Sequence, residues 1–354
     1  NDIQNALTVL ETDFAITDNF PINVKNYGAT GDGTTDDYAA IVLATAAAAN
    51  GSLFFPARAG AYRIGTNWTC PPTVGLSMEF GAMLSPDPGV TVTINRVASV
   101  PLSQWITGPG TVLFADGAVE GFFTEWWGAV GDGVTNDTTA MQKAIDAAEA
   151  LNGYYIVLLG KKYKCNVKIQ SSGVKLIGEG VGKTWIIPYN TASPGLTIGE
   201  KGNTAADRVD FILVEGIQFC DNKDNPYGQN YDVTLLKLYN VGNNTAIRDC
   251  RFSGSLGYGL YAAGFQDSTI DNCTFVALGQ ASPARYGIYM DSIPGPVPYM
   301  QCNHIRFQAC MFHGYQNNNF IYITDTTGAR TPDDIYFNNC KFHPNVVNSE
   351  YIYL

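Results

Sequence analysis

A six-residue unit that recurs along the second half of the chain restricts the fold more than any other feature. Each copy contains an apolar residue, two further residues, a cysteine, one polar or flexible residue and a phenylalanine. The four copies are Ile247–Phe252, Ile270–Phe275, Phe307–Phe312 and Phe337–Phe342. Their cysteines are 23, 37 and 30 residues apart, so a nearly constant unit alternates with insertions of variable length. This arrangement is typical of a solenoid, in which each turn contacts only its neighbours.

Stacking these units as rungs about 4.8 Å apart would align their equivalent residues. The four cysteines then form one inward column, and we expect free thiols packed in the core, because free cysteine behaves as a small apolar residue. The residue before each cysteine is Asp249, Asn272, Ala309 or Asn339, and Gly216 takes this place in an earlier copy without cysteine. Asn, Asp and Gly tolerate left-handed backbone, which predicts a sharp bend at this position.

A second strand carries a tyrosine at a fixed position in each rung. The strands are Tyr258–Ala263, Tyr286–Asp291, Asn319–Thr324 and, at the end of the chain, Glu350–Leu354. If Leu260 and its equivalents point inward, the two-residue period turns one tyrosine outward per rung. These tyrosines are Tyr261, Tyr289, Tyr322 and Tyr353. The sequence stops inside this last rung, and an open end would expose unpaired backbone, so we expect further sequence, a partner or a cap to follow it.

The first half of the chain contains a glycine-rich motif that occurs twice. Tyr27–Asp37 and Trp127–Asp137 lie one hundred residues apart, and each leads into an alanine-rich segment. We predict a helix after each motif, the first capped by Thr35 or Asp36 and the second by Asn136, that covers the first rung of a stack. The predicted organisation is a lead segment at 1–22, a small entry module at 23–122 and the main solenoid at 123–354.

Charge and composition exclude several classes of function. The 32 acidic and 21 basic residues give a net charge of −11, which argues against a nucleic-acid partner. It also disfavours a strongly acidic substrate, unless lysines and arginines gather locally. An apolar run of about 18 residues is absent, so we expect no membrane insertion. The three histidines are not spaced with cysteines as zinc ligands are, and we expect no metal and no organic cofactor.

The glycine motifs themselves do not predict a phosphate site, because neither has a Lys-Ser/Thr pair after its glycines. We interpret Asp32 and Asp132 as acceptors for the amides of a tight turn. A calcium site at Asp32, Asp36 and Asp37 is the alternative, although these residues lack the spacing of a calcium loop.

Residues 24–41 closely resemble the N-terminal signature of the pectate-lyase-like superfamily. Residues 125–144 resemble it again, in the Trp-Trp-Gly-Ala-Val-Gly-Asp-Gly form common in bacteriophage tailspikes. The resemblance implies an all-β chain, a single-stranded right-handed parallel β-helix with short capping helices at two entry turns. It is specific for fold rather than activity, since the superfamily includes tailspike depolymerases, pectin-active enzymes, exo-β-1,3-glucanases and virion parts without catalysis. The Asn-Thr-Asp, Gly-His-Gly and Arg-Ile-Lys segments of polygalacturonase-like members are missing, so pectin chemistry is not supported.

The tailspike resemblance implies a function at the surface of a bacterium. The protein would be a virion component of the phage tail, made in the bacterial cytoplasm and acting outside the cell, that binds and depolymerises a bacterial surface polysaccharide. It would be a homotrimer that contacts other tail proteins, and its chemistry would be that of a glycoside hydrolase or a polysaccharide lyase. A non-catalytic virion component or adhesin is the first alternative, and a cellular glycosidase such as an exo-β-1,3-glucanase is the second.

Candidate site residues follow from the rung geometry. Glycoside hydrolysis uses two carboxylates about 5 Å or about 6.5–9.5 Å apart, which one or two rungs can provide. Asp291 takes an outward position on the tyrosine-bearing strand, and Asp325 on the next rung is its nearest candidate partner. Weaker candidates are Glu215, Asp221, Asp224, Asp333 and Asp334. For each acid the alternative is a solvated turn residue.

Tyr261, Tyr289 and Tyr322 are the candidate substrate-binding residues, because an outward aromatic column suits the apolar faces of sugars. Packing under loops or against a neighbouring subunit is the alternative for them. The insertions at 276–304 and 313–334 are expected to overhang this face and to shape a groove.

Overall fold

The computed structural model describes residues 21–225, 231–279, 286–293, 301–313, 320–326, 332–343 and 352–353. The chain divides into two compact units, Asn1–Glu120 and Gly121–Leu354. The predicted lead segment falls almost entirely outside the described residues.

The second unit winds through three parallel sheets, visiting sheet 1, sheet 2 and sheet 3 in turn. Sheet 1 contains Phe122–Phe123, Tyr155–Leu158, Lys175–Gly178, Leu213–Glu215, Ala246–Arg248, the second half of Leu260–Asp271, Asn303–Gln308 and Asp333–Asn338. Sheet 2 contains Asp132–Asn136, Lys162–Cys165, Trp185–Pro188, Gln218–Cys220, Arg251–Ser255, Thr274–Leu278, Met311–His313 and Lys341–His343. Sheet 3 contains Val167–Ile169, Leu196–Gly199, Val209–Asp210, Leu236–Gly242, the first half of Leu260–Asp271, Ile288–Asp291, Ile321–Ile323 and Ile352–Tyr353. The predicted parallel β-helix is confirmed.

Columns of equivalent residues fill the core of this unit. On sheet 2 the register joins five phenylalanines, whose neighbouring ring centroids lie 5.0, 4.8, 5.4 and 4.8 Å apart with nearly parallel planes. They are Phe219, Phe252, Phe275, Phe312 and Phe342. Burying one such side chain stabilises the fold by about 1.5–3 kcal/mol, so the column is a large part of the core energy.

The cysteine column is confirmed. Cys250, Cys273 and Cys310 are buried, Cys340 is half-buried, and all are free thiols. Each thiol lies within hydrogen-bonding distance of two sheet 1 carbonyls, one on the rung below, as Cys273 is of Ile247 at 3.5 Å, and one two residues before the cysteine. Burial, followed by hydrogen bonding with the neighbouring thiols, raises the pKa of Cys273 well above its ordinary value. The rungs are therefore stacked in register.

The sharp bend before each cysteine is also confirmed. Backbone φ is +69° at Gly216, +50° at Asp249, +48° at Asn272, +52° at Ala309 and +53° at Asn339. The Asn272 amide donates to the Asp249 carboxylate of the rung below at 2.6 Å, which ties neighbouring bends together. Ala309 is the only alanine in this column, and an L-residue without a polar side chain is strained in this conformation.

The first unit is a short stack of the same kind. One of its parallel sheets contains Ile22–Asn23, Ser52–Phe55, Gly75–Met78 and Val97–Ser99. The others contain Tyr62–Ile64 with Leu84–Pro86, and Trp68–Cys70 with Thr91–Ile94 and Thr111–Phe114. The segment between the two glycine motifs thus contains a few rungs of its own.

Each glycine motif leads into a helix, α1 at Tyr38–Ala48 and α2 at Thr138–Glu149. The predicted N-cap positions are wrong. The first helix is capped at Asp37 rather than at Thr35 or Asp36, and the second at Asp137 rather than at Asn136. These buried carboxylates accept hydrogen bonds from amides of the glycine turn instead of capping their own helices.

The interpretation of the first aspartate of each motif is confirmed. Asp32 accepts hydrogen bonds from the amides of Thr34 and Thr35 at 2.8 and 2.7 Å, and Asp132 repeats this pattern in the second motif. These hydrogen bonds, led by that from the Thr135 amide, hold the pKa of Asp132 below its ordinary value. The aspartates therefore act as fixed anions that close the turns.

Candidate functional site

The outward tyrosines of sheet 3 form a continuous column. Tyr261 pairs in register with Tyr289, and Tyr289 with Tyr322. Their ring centroids lie 5.3 and 5.7 Å apart, with planes inclined by only 14° and 11°. The predicted outward column is confirmed over these three rungs. Ile352–Tyr353 continues the sheet, but the side chain of Tyr353 lies outside the described residues.

A second tyrosine column lies beside the first. The ring of Tyr286 stacks on Tyr322 at 4.4 Å, and that of Tyr258 contacts Tyr261 and Tyr289 at 5.7 and 5.3 Å. We call Tyr258, Tyr261, Tyr286, Tyr289 and Tyr322 the tyrosine cluster. All five are half-buried.

Sequence reasoning did not include Tyr258 and Tyr286 among the site residues, although a signal for them exists. Both precede glycine in a repeated Tyr-Gly-x-Tyr segment, at 258–261 and 286–289. A Cβ atom at Gly287 would lie 2.6 Å from the Phe320 ring, so the strand can pack here only with glycine. The repeated dipeptide therefore marks a close contact that places the second column.

The stacking of the rings leaves few aromatic faces of the tyrosine cluster open to a ligand. Tyr289 has Tyr261 on one side and Tyr322 on the other, so both faces of its ring are covered. A sugar would meet ring edges and hydroxyl groups along most of the column rather than open aromatic faces. The cluster therefore resembles a ridge of phenols more than a flat stacking platform.

Two phenol groups of the cluster, those of Tyr261 and Tyr289, have a raised pKa and stay protonated at neutral pH. Burial raises the pKa of Tyr261 to about 12, with the carboxylate of Asp291 adding to the effect. Burial also raises the pKa of Tyr289 further above its ordinary value, and Asp291 again contributes. Neutral hydroxyls can both donate to and accept from the hydroxyl groups of a glycan.

A cation lies at the lower end of the column. Lys237 pairs in register with Tyr261, and its ammonium lies 5.4 Å from the ring centroid of Tyr239 and 5.9 Å from that of Tyr261. Lys237 and Lys168 both form ion pairs with Glu200. Although burial raises the pKa of Glu200, the hydrogen bonds from the two lysines outweigh it and hold the pKa below its ordinary value. The charge of Lys237 is thus compensated within the protein.

Asp291 takes the predicted position on its strand but is not solvated, since only 5% of its surface is exposed. One carboxylate oxygen accepts hydrogen bonds from the amides of Ser292 and Thr326 at 2.8 and 2.9 Å. The other accepts from the hydroxyls of Tyr289 and Thr326 at 3.1 and 2.7 Å. A carboxylate offers about four acceptor sites, so these hydrogen bonds occupy all of them. The interpretation of Asp291 as a solvated turn residue is therefore wrong.

Asp325, the predicted partner of Asp291, directly precedes Thr326, which covers the Asp291 carboxylate. Thr324 donates its amide to Met290 at 3.0 Å and so continues the sheet, and Thr326 occupies both oxygens of Asp291. Asp325, between them, is half-buried. The assignment of Asp291 and Asp325 as a catalytic pair stays a prediction.

The structure describes only part of the insertions that were expected to shape a groove beside the tyrosine cluster. The insertions expected to overhang the tyrosine face include 280–285, 294–300, 314–319 and 327–331, which lie outside the described residues.

Within the part of the chain that is described, no group of three or more His, Cys, Asp or Glu residues could hold a metal ion. Over the same residues, no helix is long and apolar enough to cross a membrane.

The comparisons with known proteins agree with the resemblance recognised in the sequence. Residues 125–198 match the family model described as rhamnogalacturonase A/epimerase, pectate lyase-like. The chain is 27% identical over 180 residues to a capsule K30/K69-specific depolymerase of Klebsiella phage K64-1. It is 25% identical over 242 residues to depolymerase 1, capsule KN3-specific, of Klebsiella phage KN3-1. The predicted similarity to pectate-lyase-like proteins and phage depolymerases is confirmed.

These matches cover more of this chain than of its relatives. They include 44% and 64% of this chain but 21% and 28% of the two depolymerases, so the chain spans about a quarter of their length. Among solved structures, ORF18 of Geobacillus virus E2 superimposes with a TM-score of 0.55 at 24% identity. That match covers 66% of this chain and 46% of the viral protein, and it supports the fold.

Proposed function

We propose that this chain is part of a bacteriophage tailspike that binds a bacterial surface polysaccharide and depolymerises it. The observation that carries the proposal is the similarity to two capsule-specific phage depolymerases. The tyrosine cluster supports it, because it presents phenol groups along three successive rungs of sheet 3. In this proposal the entry module at 23–122 and the solenoid at 123–354 are successive parts of the spike.

The binding half of the proposal is tested with purified capsular polysaccharides and O-antigens. We expect the chain to retain at least one of them on a sensor surface. Tyr322→Ala should weaken that binding about tenfold or more, because it removes one of the phenol groups that contact the glycan. Tyr155→Ala is the matched control, since Tyr155 is an exposed tyrosine on sheet 1 outside the cluster. Equal effects of the two substitutions would refute a role for the tyrosine cluster.

The cleavage half of the proposal is tested by new reducing ends and by a fall in glycan size. A hydrolase produces reducing ends alone, whereas a lyase also produces an unsaturated sugar that absorbs ultraviolet light. We keep Asp291 and Asp325 as the proposed carboxylates, so Asp291→Asn and Asp325→Asn should abolish cleavage while binding persists. Intact glycan with the unmodified chain would refute cleavage.

A positioning role of Asp291 is separable from a catalytic one. Thr326→Val removes one hydroxyl donor to Asp291 but leaves the carboxylate in place. If Asp291 reacts with substrate, Thr326→Val should retain most of the turnover that Asp291→Asn loses. If both variants lose turnover equally, Asp291 acts by holding residues 324–326 in place.

A non-catalytic adhesin or virion component is the second candidate, favoured by the complete saturation of Asp291 by hydrogen bonds. It predicts tight glycan binding without new reducing ends.

In either case we propose a homotrimer in contact with other tail proteins in the virion. Light scattering after gel filtration should give three times the mass of one chain, and a monomer at micromolar concentration would contradict the trimer.

A further inference from the structure

A cavity of about 630 Å³ opens on the second unit, and the tyrosine cluster does not line it. Its walls come from the second glycine motif, the ends of two sheet 2 strands, the segments at 189–191 and 221–224, and Tyr231 and Val233. This volume is typical of sites that bind one or a few sugar-sized groups. The residues that line it differ from the tyrosine cluster in two respects, the accessibility of their rings and their charge.

Two tyrosines in the cavity wall have open ring faces. Tyr189 is 45% exposed and Tyr231 is 50% exposed. Neither ring stacks on another aromatic ring in the described part of the chain, in contrast to Tyr289, which is covered on both sides. The amide of Tyr231 donates to the buried carboxylate of Asp221 at 2.9 Å, which fixes the backbone that carries this ring. Open phenol faces suit the apolar face of a sugar ring.

The charges of the cavity leave one cation available. Lys223 is paired with Asp224 at 2.7 Å, and the Lys162 ammonium donates to the Lys223 carbonyl at 2.7 Å. The ammonium of Lys164 lies 5.9 Å from the Tyr189 ring centroid and makes no ion pair or hydrogen bond with any described residue. It is half-buried in the wall of the cavity. An uncompensated ammonium beside an open aromatic ring is suited to an anionic group that sits against the same ring.

Two carboxamides add donors to the same wall. The side-chain oxygen of Asn190 accepts the Ala192 amide at 3.0 Å, and that of Asn222 accepts the Asp224 amide at 2.9 Å. With both oxygens engaged inside the protein, each NH₂ group is left to donate outward. Beside the carboxylates of Asp221, which is buried, and Asp224, which is paired with Lys223, the wall therefore offers amide donors and the Lys164 ammonium to the oxygens of a glycan and of a carboxylate.

We infer that this cavity binds a carboxylate-bearing sugar residue, such as a uronic acid, with Lys164 holding the carboxylate and Tyr189 and Tyr231 contacting the sugar ring. The inference rests on the proposed function for the source of the ligand, a surface polysaccharide. Because Lys223 is paired with Asp224 and Asp221 is buried in the wall, Lys164 is the lining cation left to attract an acidic group.

The experiment compares one glycan in two forms. Oligosaccharides from a glucuronate-containing bacterial capsule are bound to the chain before and after chemical reduction of their carboxylates. We expect the acidic form to bind more tightly and to lose affinity as salt is raised. Lys164→Met should weaken binding of the acidic form by roughly tenfold to a hundredfold, the loss expected for one charge-assisted hydrogen bond, and should leave the reduced form unchanged. Lys183→Met, an exposed lysine outside the cavity, is the matched control.

Tyrosine variants separate this inference from the proposed function. Tyr189→Ala should weaken binding of both glycan forms, because the ring face contacts the sugar and not its carboxylate. The inference is overturned if Lys164→Met behaves like Lys183→Met, or if the two glycan forms bind equally. In that case the proposed function still stands if Tyr322→Ala lowers glycan affinity. Absence of binding to every surface polysaccharide would overturn both.

Discussion

Replacing Phe275 with alanine measures how much the phenylalanine column stabilises the β-helix. Phe275 is fully buried, and its ring stacks between Phe252 at 4.8 Å and Phe312 at 5.4 Å. Truncating a buried phenylalanine to alanine costs about 3–5 kcal/mol. Each aromatic pair contributes about 0.5–1.5 kcal/mol beyond the buried area. Because Phe275 takes part in two such pairs, its truncation should cost an energy near the top of the range of about 3–5 kcal/mol. We expect the free energy of unfolding of the second unit to fall by about 4–5 kcal/mol.

Two further variants show whether stacking or burial causes the loss. Phe275→Leu keeps most of the apolar volume and removes both ring pairs, so it should cost about 1–3 kcal/mol. Phe342→Ala removes a half-buried ring that stacks on Phe312 alone within the column, and it should cost about half as much as Phe275→Ala. Urea unfolding followed by tryptophan fluorescence gives all three values. If Phe275→Ala costs no more than Phe342→Ala, the stacked column is not a source of stability.

Three further predictions concern single positions. Ala309→Asn should raise the free energy of unfolding by about 0.5–1 kcal/mol, because Asn adopts the left-handed bend with less strain; a lower urea midpoint would contradict this. Iodoacetamide at pH 8 should label Cys340 before Cys250, Cys273 and Cys310, because Cys340 is only half-buried and the other three thiols are buried; equal labelling by mass spectrometry would count against the buried column. Burial raises the pKa of Tyr261 from 10.0 to about 12, so the unfolded chain ionises first as pH rises through this window and the fold loses stability there. Ultraviolet titration should detect late-ionising phenols, and ionisation of every tyrosine near pH 10 would refute their burial.

The sequence predicted the fold because the same contacts recur at every rung. The cysteine, the phenylalanine two residues later and the left-handed residue before the cysteine each repeat, and only stacking in register places all three consistently. The tyrosine column followed from the same period of two. These features depend on local spacing, which a single sequence contains in full.

The surroundings of the site residues could not be predicted in the same way. The period of two places Asp291 on the outer side of its strand, but Thr326, thirty-five residues further along, covers it. Likewise, nothing in the spacing of the tyrosines indicates that Tyr289 is covered on both faces while Tyr189 is open. The cavity of the second unit is built from several non-repeating turns, so it has no periodic signal. Asp221 and Asp224 were only weak candidates in the sequence, although the structure brings them together with the open tyrosines.

The bend before each cysteine has a consequence for how such proteins can diversify. The spacing between the bend and the phenylalanine that follows it is the same in every copy of the unit. The number of residues between successive copies varies, so this variation falls in the segments that connect them. A loop can then be exchanged without changing the rungs above and below it. If the chain acts as we propose, a new loop is enough to change the polysaccharide that it binds, while the stacked rungs stay the same.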